Sequence, residues 1–358
     1  MTDGAATTNE GEVRASFASQ AESCRGLGSP FTALFCATMA ERLDRRFAFG
    51  RRVLDWPGNP RADALALRCA GAFNALARSG RAPALTALYP PVEPSADTLW
   101  NGILAALAGH DAFLTGYLDS PPQTNEVKRC AVLLGGALMV ARQTGLPLDL
   151  IEIGASAGLN LGFDLYRYEM GGCVWGTPTA PVTIRSEWRG ALPPLDAPLA
   201  IATRRACDLN PLDPGDPEHR ARVMSYIWPD QSDRIATTEA AFDAAARQSW
   251  RVEQADAAEW IEARLAVPQA HGQARLMMHT IMWQYLPEAA KRRIEQAMAQ
   301  AAAAATPEAP LAWLRMEADG QPGSAAVTLA IWPQASSHAG GEREIARADY
   351  HGRWVEWR

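Results

Sequence analysis

The chain runs to 358 residues, 48% of them hydrophobic and 21% charged, with a formal net charge of −6. That length and apolar content bury a sizeable core and suit one large and one smaller unit, while the acidic balance supplies no basic field to draw a phosphate backbone, so nucleic acid is not an expected partner. Met1 to Val13 lacks the basic-then-apolar pattern of a secretory signal, and no apolar run reaches the length of a membrane span; the expectation is a cytoplasmic protein with no membrane partner.

In chain order, residues 1–12 read as a disordered tail. Over 13–145 apolar residues recur at helical spacing, as in "PFTALFCATMAERL", "ADALALRCAGAFNALA" and "LWNGILAALAGHDAFLTGYL", which predicts an all-helical N-terminal domain. Ser29-Pro30 carries the signature of a helix start, with Ser29 as N-cap, and the prolines between Tyr89 and Pro94 break two helices. "QTNEVKRC" opens the next apolar helix: Thr124 or Asn125 is placed to cap it, with Glu126 in its first turn. A cap does not require Gln123, Asn125, Glu126 and Arg129 together, so this helix start is expected to face a ligand cleft and contact substrate.

Over 146–358 short aliphatic runs end in polar residues and lead into helices. The runs are "LDLIEIG" before a helix from Leu159, "LAIATRRACD", "WRVEQAD" before "AAEWIEARLA", and "ARLMMHTIMW" before "EAAKRRIEQAMAQ". This alternation predicts an α/β domain with a mostly parallel sheet and helices on both faces. "LAWLRMEAD", "AAVTLAIWP" and "RWVEWR" lack a long helix between the final two and predict an antiparallel strand pair at the C-terminus. The Gly-, Pro- and Trp-rich stretch at 168–199 reads as a hairpin or lid inserted between the first two strands.

Six scattered cysteines and six scattered histidines show no metal-ligand spacing, so no metal site is expected and the cysteines read as reduced, mostly buried thiols. The informative motif is "EIGASAGLNLG". Gly154-Ala155-Ser156-Ala157-Gly158 fits the G-x-S-x-G elbow of a serine hydrolase with Ser156 as nucleophile, and His279, His338 and His351 follow it. The helical region upstream lacks the strands and oxyanion loop which that fold requires. The same residues also fit a small-residue loop that wraps a nucleotide-like cofactor at a strand end.

An acid ending the first strand, a small-residue turn, and further acids after the second and third strands resemble the class I S-adenosylmethionine-dependent methyltransferases, whose Rossmann-like sheet also ends in antiparallel strands. The resemblance implies S-adenosylmethionine as cofactor, held by Glu152, Gly154, Ala155, Ser156, Gly158, Asn160, Asp208 and Asp256. Within that set it implies that Glu152 orders the loop or meets the amino-acid end, Asp208 accepts the ribose hydroxyls, and Asp256 meets the adenine amino group. Ser156 stands where that pattern usually has a glycine, and the insertion lengthens the spacing from Glu152 to Asp208. "HTIMWQYLP" follows the fourth strand, where a methyl acceptor's proton is removed; His279, Tyr285 and Glu126 are the candidate catalytic residues, and Gln123, Asn125, Arg129 and Gln284 the candidate substrate contacts. The Asn/Asp-Pro-Pro-Tyr loop of amino-group base methylases and the Pro-Cys nucleophile of cytosine methylases are both missing, which leaves a small molecule or a protein side chain as acceptor. A non-catalytic ligand-binding protein on a degenerate fold of this kind is the remaining alternative.

Five blocks, "PPQTNEVKRC", "EIGASAGLNLGFDLYRY", "CDLNPLD", "HTIMWQYLP" and "YHGRWVEW", resemble the signatures of a bacterial uncharacterised family, domain-of-unknown-function family 2332. They spread from the helical region to the C-terminus, and the family brings no assigned activity.

Overall fold

The structure is a computed structural model that describes residues 7–333 and 341–358. The chain divides into two compact units, Met1–Thr124 with Glu218–Ala236, and Asn125–Pro217 with Thr237–Arg358.

The first unit is helical, with α1 (Thr7–Gly26), α2 (Pro30–Arg42), α3 (Ala48–Leu54), α4 (Leu65–Arg78), α5 (Pro83–Thr86) and α6 (Ala96–Tyr117). The helix begins at Thr7, so the expected tail to residue 12 is helical from there on; Glu10 pairs with Arg14 one turn later, and Val13, Phe17 and Ala21 bury their side chains in the helical core. Residues 1–6 of that tail lie outside the described residues. Ser29 does not cap α2. Its hydroxyl bonds to Asp230, whose other carboxylate oxygen accepts from Phe31 N at 2.8 Å, so an acid some 200 positions away serves the helix start. Asn74 of α4 anchors the 218–236 stretch by donating to Ser225 O and Ile227 O.

The second unit holds α7 (Cys130–Thr144), β1 (Leu148–Ile153), β2 (Arg167–Met170), β3 (Cys173–Trp175), β4 (Thr183–Arg185), β5 (Glu187–Gly190) and β6 (Ile201–Asp208). After α8 (Pro217–Ser225) and α9 (Ser232–Ala246) come β7 (Val252–Gln254), α10 (Ala257–Ala266), β8 (Ala274–Thr280), α11 (Glu288–Ala304), β9 (Leu311–Glu317), β10 (Ala325–Trp332), β11 (Arg343–Ala348) and β12 (Trp354–Trp357). Nine strands form one mixed, mostly parallel sheet in the order β5-β12-β11-β10-β9-β8-β1-β6-β7, with β7, β6, β1, β8 and β9 all parallel. The chain leaves β1 for β6 and β7 on one side and then crosses to β8 on the other. The C-terminal ends of β1 and β8 therefore flank the point where winding reverses, the place where open α/β sheets hold ligands.

Four expectations are corrected here. The boundary falls at 124/125 rather than 145/146, because α7 packs on β8 to β11 instead of in the helical core. The C-terminal antiparallel pair is a four-strand meander, β9 to β12. The insertion is only partly a hairpin: β2, β3 and β4 make their own small sheet, while β5 pairs in parallel with β12 at the edge of the large one. The helix expected from Leu159 is a short 3-10 segment, Leu159–Leu165, with non-helical backbone at Gly162, before the chain turns into β2.

Alternation along β1 sorts the sheet's faces. Ile151 and Ile153 join Met277, Leu311 and Trp313 against α10 and α11, and Leu150 and Glu152 point the other way, toward α7. Two glycines let α7 approach closely: a Cβ on Gly135 would stand 2.4 Å from the Trp357 ring and one on Gly136 2.5 Å from Leu314. The indole is rigid, so Gly135→Val is expected to lower unfolding free energy by about 1–3 kcal/mol in urea titration; an unchanged midpoint would show that α7 has room to retreat.

Candidate functional site

β1 ends in Glu152-Ile153, and the chain then takes positive φ at Gly154 (67°), Ser156 (55°) and Gly158 (69°). Left-handed backbone is free for glycine and strained for serine. Ser156 is held there from both sides: its N–H donates to Asp208 Oδ2 at 2.8 Å, and its carbonyl accepts from Leu212 N at 3.1 Å. Ala155 N donates to Cys207 O, and Asp208 Oδ1 accepts from Asn210 N, closing its own turn. "GASAG" and "CDLNPLD" are thus two halves of one hydrogen-bonded assembly.

"TNEVKRC" supplies the third side. Asn125 Oδ1 accepts from Leu159 N at 3.0 Å, so Asn125 serves the loop rather than its own helix; Glu126 caps the short Val127–Arg129 turn by accepting from Lys128 N. Cys130, the first residue of α7, donates its thiol to Asn160 Oδ1 at 3.3 Å. Arg129 donates to Thr280 O at the end of β8 and to Tyr350 O. Gly352 lies so close to Lys128 that a Cβ would meet its carbonyl oxygen at 2.6 Å, which accounts for the glycine of "YHGRW". Met282, from "HTIMWQYLP", rests against Gly154. Blocks from five places in the sequence converge on the C-terminal edge of β1, β6 and β8.

Glu152 is 2% exposed, and its Oε2 has no hydrogen-bond partner. Burial, with the charge of Asp208 adding to it, pushes its carboxyl up to about 8. The Ser156 hydroxyl is also buried and unpartnered. Burial likewise holds the Cys130 thiol protonated, reinforced by the nearby charges of Glu152, Glu126 and Asp164. Asp164 pairs with Arg204, which also donates to Leu161 O. The sequence reading missed this pair; its acid and arginine stand far apart in sequence, on either side of the insertion.

Several expected site residues lie elsewhere. Met278 is the residue beside Glu152 in the β1–β8 register, so His279 faces the opposite side of the sheet. There it is fully buried, stacked on Trp283, with Nδ1 bonded to Glu317 at 2.7 Å and Nε2 accepting from Trp313 at 3.1 Å. Both ring nitrogens are committed to partners on that face, away from Glu152. Glu317, at the end of β9, was also missed, although it follows the same pattern of a strand ending in an acid; it accepts from Met282 N and Trp283 N as well and fixes the turn after β8. Tyr285 and Gln284 occupy the 3-10 turn Trp283–Tyr285, where Tyr285 is 75% exposed. Asp256 is the N-cap of α10, its Oδ1 accepting from Ala258 N and Glu259 N. Gly158 abuts Val252 of β7. Gln123 belongs to the first compact unit, and His338 lies outside the described residues. Among those residues no group of three or more His, Cys, Asp or Glu side chains is placed to hold a metal ion, and no helix is long and apolar enough to cross a membrane.

Residues 14–357 match the family described as uncharacterized proteins conserved in bacteria (DUF2332). The chain belongs to this family. No curated protein and no solved structure matches it. The match spans both compact units, so the helical unit is part of what defines the family.

The raised Glu152 pKa has a consequence for stability. The native carboxyl keeps its proton up to about pH 8, whereas the unfolded one releases it near 4.5. Between those values the native state binds the extra proton, so this group's contribution to stability falls as pH rises through the window and levels off above it. Glu152→Gln keeps the neutral shape and removes the titration. Denaturant unfolding at about pH 5 and about pH 8 is expected to show wild type losing stability relative to the variant on going to the higher pH; parallel profiles would mean that Glu152 is ionised in the native protein throughout.

Proposed function

We propose that the chain is a class I methyltransferase-like enzyme that binds S-adenosylmethionine at the C-terminal edge of β1 and β6 and acts on a small molecule or a protein side chain. The observation that carries this reading is the parallel order β7-β6-β1-β8-β9 with acidic side chains at the ends of adjacent strands, Glu152 and Asp208, the first with a buried oxygen that lacks a partner.

The loop's chemistry favours a sulfonium nucleoside over a phosphate-bearing nucleotide. Four of its amide donors are spent inside the protein: Ala155 N on Cys207 O, Ser156 N on Asp208, Gly158 N on Ala155 O and Leu159 N on Asn125. A phosphate cradle needs such N–H groups free. What the edge presents instead is carboxyl oxygen, which accepts from hydroxyl and ammonium donors. Asp208 retains lone pairs for vicinal hydroxyls beside its two backbone bonds, and Glu152 Oε2 and the Ser156 hydroxyl would meet the amino-acid end. Asp256 fits less well, since its Oδ1 is occupied by the α10 cap. When bound, S-adenosylmethionine supplies an electrophilic methyl group on sulfur. The chain's part is to orient the acceptor and take its proton, for which Glu126 replaces His279 as the proposed base, with Asn125 and Arg129 bracing the segment that carries it.

The hydrolase reading draws on one observation, the positive φ of Ser156 within G-x-S-x-G. Against it, the Ser156 hydroxyl has no partner and His279 is engaged on the other face, so no base serves it among the described residues.

Isothermal titration calorimetry of the full chain with S-adenosylmethionine and S-adenosylhomocysteine tests the proposal. Saturable binding, weakened at least tenfold in Asp208→Asn, is expected. No heat from either ligand at millimolar concentration overturns it, and fluorophosphonate labelling that disappears in Ser156→Ala installs the hydrolase in its place.

A further inference from the structure

The helical unit holds a cleft of about 580 Å³, within the size range of sites that take small organic ligands. Its lining comes from three places: the start of α2, with Phe31 and Leu34; the 90–94 connection between α5 and α6; and the residues leading into α9, with Asp230. All of them belong to the first compact unit, and none is a residue of the strand-edge site. The walls are preformed. Of the eleven described residues that line the cleft, five are prolines, whose rings fix φ, and the Phe31 ring packs on Tyr89 with centroids 4.6 Å apart. Val92, also in the lining, keeps 47% of its surface exposed, so apolar surface stands open to solvent here.

We propose that this cleft is a binding site for a small organic cation with an apolar body, of the arylalkylammonium class. The lining carries two acids, Glu93 and Asp230, and among the described residues no Lys, Arg or His. It is also poor in donors. Proline has no N–H to offer, the Phe31 N–H is spent on Asp230 Oδ2 at 2.8 Å, and the Val92 N–H on Tyr89 O at 3.2 Å. An anionic ligand would meet like charge in such a lining, whereas an ammonium group brings its own donors and needs only oxygen acceptors. Asp230 is set for that role. Its Oδ1 accepts from the Ser29 hydroxyl and its Oδ2 from Phe31 N, which fixes the carboxyl group in place; an ionised carboxylate has about four lone-pair sites, so these two bonds leave acceptor capacity for a ligand. The apolar body of the cation then lies against Phe31, Leu34 and Val92, where covering exposed apolar surface adds to the charge attraction.

The test is calorimetric titration of the full chain with phenylbutylammonium and, as its charge-reversed counterpart, phenylbutyrate, both at millimolar concentration. Saturable one-to-one binding of the ammonium compound alone is expected, and added salt should weaken it. Val92 and Glu93 are both exposed, so Val92→Arg and Glu93→Gln leave the helical core intact, which an unchanged thermal midpoint verifies. Val92→Arg, which puts a bulky cation into the cleft, is expected to abolish binding, and Glu93→Gln to weaken it roughly threefold, the size of an exposed charge pair. Absence of saturable heat from phenylbutylammonium, equal binding of phenylbutyrate, or ammonium binding that survives Val92→Arg unchanged overturns the proposal.

Discussion

The hydrogen bond from Ser156 N to Asp208 Oδ2 spans the ends of the two central strands β1 and β6, and the candidate site depends on it. Without it nothing obliges a serine to keep a φ of 55°. With it, and with Ser156 O receiving Leu212 N and Ala155 N reaching Cys207 O, the small-residue turn is over-determined. The turn in turn roofs Glu152, whose protonated state follows from being buried beside a second acid. One carboxylate therefore sets the loop's backbone and also the electrostatics of the residue beneath it.

This arrangement decides what sort of ligand the edge can take. Glycine-rich loops that hold phosphate present unspent amides, whereas here four of the loop's amides are taken by Cys207 O, Asp208, Ala155 O and Asn125. The groups left are carboxyl and hydroxyl oxygens in a setting from which water is largely excluded, where each hydrogen bond counts for more than it would in solvent. Asn125 extends the logic to the segment before α7: its side chain spends itself on the loop and thereby ties Glu126 and Arg129 to the same edge.

Much of this was legible in the residues. Short aliphatic runs ending in polar residues located β1, β6, β7 and β8, the polar excess of "QTNEVKRC" pointed to the site's third side, and "GASAG" marked the turn. What failed was non-local. His279 was assigned by its position at a strand end, but only the β1–β8 register, with Glu152 beside Met278, puts it on the far face with Glu317 and Trp313. β5 leaves the insertion to pair with β12, and Asp230 caps α2; both partners are more than 150 residues distant, beyond the reach of local periodicity. Asp256 shows the opposite limit, because an N-cap and a cofactor contact use the same residue type at the same place, and the cap is what its Oδ1 makes.

Hydrogen–deuterium exchange of the full chain with and without saturating S-adenosylhomocysteine tests the central claim, that the Ser156–Asp208 assembly is the ligand's seat. Slower exchange confined to peptides covering 154–160 and 208–212 is the result the account predicts. Unchanged exchange there, or protection only in the helical unit, would contradict it.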